Sequence, residues 1–282
     1  MSIIQPNADV YIPDGVAFEE ALQRTTHLAV GAHQDDLEIM AFDGILKCFE
    51  QENMWFTGIV LTNGGGSPRD GDFKDTTDEE MQEIRRQEQK KAADIGKYGA
   101  LIQLDYPSSV VKNDIQTGPV DDLEAIIELA KPEVVYLHNP ADKHETHVAS
   151  FLRALAAIRN LPRDMRPDEA YGCEVWRDLD WLPDEYKIAF DVSAQPELQI
   201  ALLEVFESQI SGGKRYDLAT LGRRRANATY YASHGTDTAT SMIYAMDLMP
   251  LVKDAGLDIK LYVQGHIERF GEKVEDTLDR LG

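Results

Sequence analysis

His27-Leu28-Ala29-Val30-Gly31-Ala32-His33-Gln34-Asp35-Asp36 decides how the rest of this 282-residue chain is read. An apolar run of strand length ends in an imidazole and two adjacent carboxylates, and open α/β sheets present ligands just outside the carboxyl ends of their strands. The apolar spacing of Leu37, Met40, Ala41, Gly44, Ile45 and Cys48 predicts a helix from Leu37 to Glu50 with one buried face, so the motif sits on a strand-to-helix turn. Far along the chain, the strand-like Val134-Val135-Tyr136-Leu137 runs into His138-Asn139-Pro140-Ala141-Asp142-Lys143-His144-Glu145-Thr146-His147. Two His/Asp clusters at two strand ends can converge on one metal ion.

Outward from these clusters, short β-rich runs alternate with helical patterns, which predicts an α/β fold: a Rossmann-like, mainly parallel sheet flanked by helices. Strands are expected at 26–32, 56–62, 101–104, 133–138, 171–176 and 187–192, and helices at 78–97 with Asp78 as N-cap, around 120–130, over 145–159 and over 195–210. Asn63-Gly64-Gly65-Gly66-Ser67-Pro68 opens a polar loop running to Asp78, of the kind that often covers a site. It lacks the glycine fingerprints of phosphate loops, so it reads as a flexible turn. Residues 215–282 are expected to be mostly helix with loops. The chain reads as a single domain over 1–282, with a core over about 20–210 and an elaborated, helical C-terminal part over about 211–282.

A net charge of −22 disfavours nucleic acid, whose recognition needs clustered Lys and Arg. No apolar stretch reaches the ~18 residues of a membrane span, and no basic region precedes an apolar core at the N-terminus. A soluble, cytoplasmic chain is expected. Cys48 and Cys173 lie far apart without Cys-x-x-Cys spacing and read as small buried apolar residues, not as a disulfide or zinc site.

His33 and Asp36, three apart on a tight turn, can offer one nitrogen and one oxygen to a borderline ion such as zinc. His147, in a first helical turn, is the chosen third ligand, with His138 as its substitute. Three protein ligands leave room for water, whose pKa a divalent ion lowers. Asp35 is then placed as general base. His144 is placed across the substrate to stabilise an oxyanion or protonate a leaving amine, with Asp142 orienting its ring through the other nitrogen. That division of labour describes amide hydrolysis. Arg85 alone reads as a surface ion pair with Glu88 at i,i+3.

These residues resemble a known family. Ala32-His33-Gln34-Asp35-Asp36 closely resembles the Ala-His-Pro-Asp-Asp signature of the LmbE-like (PIG-L) de-N-acetylases, and Asp142-Lys143-His144-Glu145-Thr146-His147 resembles their Asp-x-His-Pro-Asp-His segment. Arg85-Arg86-Gln87-Glu88, followed by Ala92-Ala93-Asp94-Ile95-Gly96, is similar to the family's Arg-x-x-Glu helix, and Glu207-Ser208-Gln209 to its later Ser-Gln segment. The resemblance implies a zinc-dependent deacetylase acting on an N-acetylglucosamine-type sugar or its small conjugate. His33, Asp36 and His147 would hold the metal, Asp35 would be the base, His144 would assist the oxyanion and Arg85 would contact substrate. A homo-oligomer is implied by the resemblance only. Gln34 replaces the family's proline, which is expected to loosen the backbone before the two aspartates. Glu145-Thr146 stands where the family has Pro-Asp, which makes the helix start less stereotyped.

Two other classes compete. A non-haem iron oxygenase also uses two histidines and a carboxylate, but the second acid/base pair fits hydrolysis better. Iron in place of zinc as the hydrolytic metal stays open. A sugar-binding homologue without turnover is disfavoured by the intact Asp35 and His144. Trp176, Trp181, Tyr230, Tyr231, His234 and Tyr244 are candidates for sugar contact, against the commoner role of such residues in cores.

Overall fold

The computed structural model describes residues 3–282. Among them, eight strands form one sheet: β1 (Asp9–Tyr11), β2 (His27–Gly31), β3 (Phe56–Thr62), β4 (Ala100–Tyr106), β5 (Val134–His138), β6 (Glu169–Cys173), β7 (Lys187–Asp191) and β8 (Met242–Asp247). Their order is β1-β4-β3-β2-β5-β6-β8-β7. The five strands from β4 to β6 in that order are mutually parallel; β1 is antiparallel to β4, and β8 is antiparallel to both β6 and β7. The fold is α/β with a mainly parallel sheet, as the alternating pattern predicts.

Every residue of β2, β3 and β5 is buried, because strands covered on both faces by helices must be apolar throughout. On one face Leu28, Val30, Ile59, Ile102, Val135 and Leu137 pack with the helices Gly118–Ala130 and Glu145–Asn160. On the other, Ala29, Val60, Leu101 and Tyr136 meet the segment Asp36–Cys48 and the helices Asp78–Ile95 and Pro196–Glu204. Gly44 is required at this second layer: a Cβ there would lie 2.6 Å from the Tyr136 ring.

The chain runs β2, β3, β4 outward on one side, then returns to place β5 on the other side of β2. The crevice beyond the carboxyl ends of β2 and β5 is therefore a topological switch point, the place where open α/β sheets bind ligands. Both His/Asp clusters leave the sheet there.

Several elements depart from expectation. Thr77, not Asp78, caps the helix Asp78–Ile95, because Thr77 and Glu80 form a reciprocal capping box: the Thr77 hydroxyl accepts from Glu80 N–H (3.2 Å) and Glu80 from Thr77 N–H (2.9 Å). The helix expected over 37–50 is two pieces, Asp36–Met40 and Phe42–Cys48. Arg224 explains the break, since it donates to the carbonyls of Glu38 (2.7 Å) and Ile39 (3.1 Å), the acceptors an unbroken helix would give to Phe42 and Asp43. The helix expected over 195–210 is likewise split, into Pro196–Glu204 and Glu207–Ile210. The largest correction is β8, inside the region expected to be helix and loop. Its Met-Ile-Tyr-Ala-Met run is too short and too mixed in propensity to mark a strand, and only pairing on both sides makes it one.

Candidate metal and acid–base site

The site begins with strain. Asp35 has φ of +90°, a left-handed conformation that costs a non-glycine residue roughly 1–3 kcal/mol, and it occupies the turn between β2 and the helix that starts at Asp36. Surrounding hydrogen bonds hold it there. Asp35 N–H donates to Gln89 Oε1 (3.2 Å), and His33 N–H donates to Asp36 Oδ2 (2.7 Å), closing the turn. Gln34 does not loosen this segment. It is buried, its amide donates to Thr62 O (3.3 Å) and Gln103 Oε1 (3.2 Å), and its carbonyl accepts from Arg85 Nη2 (2.5 Å), so hydrogen bonds do what a proline ring would do.

From this turn and the one after β5, three donors converge. His33 Nδ1 lies 3.2 Å from His147 Nε2, Asp36 Oδ2 is 3.4 Å from His33 Nδ1, and Asp36 Oδ1 is 3.4 Å from His147 Nε2. Donors placed ~2.1 Å from a tetrahedral zinc ion stand about 3.4 Å apart, but the two Asp36 distances belong to different carboxylate oxygens; among the described residues, the groups whose ligand atoms all lie within 4.8 Å of one another are His33, His144 and His147, and Asp36, His138 and His147. Two imidazoles and one carboxylate also suit zinc or iron(II) in donor chemistry. His138 stacks beneath His147 with ring centroids 4.1 Å apart and lies 3.3 Å from Asp36 Oδ2. Its Nε2 accepts Ala32 N–H at 3.0 Å, and with Asp36 and His147 it forms one of the groups whose ligand atoms lie within 4.8 Å of one another.

Asp142 departs from its expected partner. It accepts from the backbone N–H of His144 (2.8 Å), Trp176 (3.0 Å) and Arg177 (3.3 Å), and its Oδ2 stands 3.7 Å from Nδ1 of His147. The short carboxylate two residues before a helix start turns back on the backbone, as Asx turns do, and cannot also reach the His144 ring nitrogen. Among the described residues, His144 Nδ1 has no hydrogen-bond partner. The His144 ring stacks on His147 (4.6 Å) and approaches Trp176 (6.0 Å).

Arg85 is not a surface residue paired with Glu88. It is 4% exposed, donates to the Ser67 hydroxyl and the Gln34 carbonyl, and comes within 3.7 Å of Asp35 Oδ1. Glu88 turns instead to Ser208, accepting from its N–H (2.8 Å) and hydroxyl (2.6 Å), which joins the Arg-x-x-Glu helix to the Ser-Gln segment.

Burial and neighbouring charge set the protonation pattern. Burial raises Asp35 well above the usual carboxylate range, with Arg85 opposing and Asp36 and Glu38 reinforcing. Asp36 goes the other way: burial pushes it up, but the imidazoles of His147 and His138 carry it well below that range. Burial lowers His33 to about 4 and also lowers His138 and His144, while Asp36 and Asp142 raise His147 against the effect of its burial.

The cluster opens into a cavity of about 780 Å³. Loop residues Asn63, Gly64, Gly66, Ser67 and Pro68 line it, as do Trp176 and Tyr216. Of the other sugar-contact candidates, Trp181 and Tyr244 pack into or against the core, and Tyr230, Tyr231 and His234 are exposed away from the cavity. In a chain of net charge −22 the cavity nonetheless gathers Arg85, Lys112, Lys214, Arg215, Arg223 and Arg224. The last four stand in or beside the helix Tyr216–Tyr230, where no sequence spacing marked them, because only the tertiary packing of that helix brings them to the cavity.

Residues 28–158 match the family described as PIG-L: GlcNAc-PI de-N-acetylase. The chain is 24% identical over 158 residues to the uncharacterized deacetylase YaiS of Escherichia coli (strain K12), covering 53% of this chain and 77% of that one. Its fold is similar to the 4-carboxy-2-hydroxymuconate hydratase GalB of Pseudomonas putida KT2440 (TM-score 0.61, 17% identity, 79% of this chain and 95% of that one). It is equally similar to N,N'-diacetylchitobiose deacetylase of Pyrococcus horikoshii (TM-score 0.61, 16% identity, 84% of this chain and 88% of that one).

Proposed function

From a chain whose residues 28–158 carry a PIG-L family domain, we propose a metal-dependent hydrolase that removes the N-acetyl group from an N-acetylglucosamine-type amino sugar or its small conjugate. The observation that carries this reading is the convergence of His33, Asp36 and His147, each pair of residues bringing a donor atom within 3.4 Å of the other, with Asp35 beside them on the cavity lining. These three residues would hold zinc or iron(II). A divalent ion there supplies a lowered water pKa and a polarised amide carbonyl.

The remaining work falls to the chain's own side chains. Asp35 takes a proton from the attacking water as the water oxygen bonds to the carbonyl carbon, and its raised proton affinity suits that role. Arg85, 3.7 Å away, steadies the carboxylate and faces the substrate's hydroxyl groups. His144, kept neutral by burial, offers a ring N–H to the developing oxyanion. The proton held by Asp35 passes to the amide nitrogen as the C–N bond breaks, giving acetate and a free amine. Asp142 acts at one remove, holding the turn that places His144 and His147.

Acetate release from a panel of N-acetylated mono- and disaccharides tests the proposal, with protein stripped of metal and then reloaded with zinc or iron(II). Activity that vanishes on stripping and returns with one equivalent of ion is the expected result. A stripped protein that binds no ion back would overturn it.

A further inference from the structure

The chain carries 50 acidic residues against 28 basic ones, yet the lining of the cavity reverses that ratio: six basic side chains stand there against the acids Asp35, Asp36 and Glu174. Most of these charges are answered within the protein. Arg85 is held by the Gln34 carbonyl, the Ser67 hydroxyl and, at 3.7 Å, Asp35. Arg223 donates to the carbonyls of Val175 and Trp176, and Arg224 to Gln199 Oε1 (3.0 Å) and the carbonyls of Glu38 and Ile39. Arg215 makes a bidentate contact with Asp217 (3.0 and 2.6 Å). Glu174 has both oxygens engaged, by Leu179 N–H (2.8 Å) and by Asn227 Nδ2 (2.8 Å).

Two lysines remain. Among the described residues Lys214 pairs with no carboxylate, and its ammonium is kept at the cavity by the face of Trp176, 4.4 Å from the ring centre. Lys112 ends the short helix Ser108–Lys112 and meets only the largely exposed carboxylate of Glu145, at 4.0 Å, where an ion pair contributes little.

Both lysines are tied to the turn that carries His144. Arg153 fastens the Lys112 helix to the helix Glu145–Asn160, donating from Nε to Val111 O (3.0 Å). Trp176, under Lys214, donates its N–H to Asp142 (3.0 Å) and sets its ring 6.0 Å from that of His144. An uncharged ligand would leave both ammonium groups unanswered, whereas a phosphate or carboxylate supplies the oxygen acceptors they lack. We propose that the ligand of this cavity carries an anionic group, a phosphate or a carboxylate, held by Lys214 and Lys112 beside the His144 turn. The proposal rests on the deacetylase reading for the rest of the molecule: the substrate is then an acidic N-acetylamino sugar or conjugate, oriented by its charge while its acetamido end meets Asp35 and His144.

Calorimetry on the metal-reloaded protein tests this with four sugars: N-acetylglucosamine, its 1-phosphate, its 6-phosphate and the carboxylate-bearing N-acetylmuramic acid. At least one charged sugar is expected to bind about tenfold more tightly than the neutral one, and which one separates phosphate from carboxylate. That advantage is expected to shrink in Lys214→Ala and in Lys112→Ala, to vanish in the double variant, to persist in Lys214→Arg and to fall as salt is added. Charged and neutral sugars binding alike, or a preference for charge that survives in the double variant, as direct coordination to the metal would give, overturns the proposal even where acetate is released. A lysine-dependent preference with no acetate released from any of the four sugars supports the anion subsite and counts against the hydrolytic reading instead.

Discussion

Asp35 and Glu38 are both buried acids with raised proton affinity, yet they face different solvents. Asp35 lines the cavity; as the proposed general base, its substitution Asp35→Asn is expected to lower kcat by about 10²–10⁴ while metal content stays unchanged. Equal turnover in the variant would remove Asp35 from the mechanism. Glu38 is fully enclosed, accepting from Tyr98 Oη (2.6 Å) and Gln89 Nε2 (2.8 Å), and burial raises it to about 7. The folded state thus holds this proton more tightly than the unfolded chain, whose carboxyl titrates near its ordinary value. The stabilisation is complete below the ordinary value, is lost as pH rises towards 7, and changes no further above it. Glu38→Gln mimics the protonated acid without titrating. Urea unfolding across pH 4 to 8 is expected to show the variant gaining about 3 kcal/mol on the parent over that window. Parallel stability curves would mean that the carboxyl is ionised in both states.

Among the elements, the helix Asp78–Ile95 does the most positioning. Arg85, Glu88 and Gln89 on it reach, respectively, the Gln34 carbonyl, Ser208 and the Asp35 N–H. Ser208→Ala leaves the buried Glu88 carboxylate without a hydroxyl donor and is expected to cost about 1.5–3 kcal/mol, read as a lower urea midpoint. A change within a few tenths of a kcal/mol would show that the contact contributes nothing to holding the two segments together. How much of this was legible follows from the range of each interaction. β2 and its turn were legible because a doubly covered strand must be apolar and titratable residues at its end stand out. The same holds for β5 and the His144–His147 turn. The Arg224 contact to Glu38 spans 186 residues and the Glu88–Ser208 contact 120, and no local period encodes either. β8 failed for a related reason: its strand identity resides in its neighbours β6 and β7. Asp142 failed at the smallest scale, where backbone N–H and ring N–H donors both lie within reach of one carboxylate and only geometry selects between them.

At the scale of the molecule, a strongly acidic chain places six cationic side chains, together with Asp35, Asp36 and Glu174, around the cavity of about 780 Å³. The sheet that makes the cavity also dictates when it can exist. β2 pairs with β3 on one side and with β5, His27 opposite Val134, on the other, and both β3 and β4 precede β5 in the chain. Residues 33 and 36 leave a ribosome long before residue 147, and until the later turn arrives an early ion would find half a site. If the proposed ion binds there, loading waits for the turn after β5, and a nascent chain stalled before β5 offers it only His33 and Asp36.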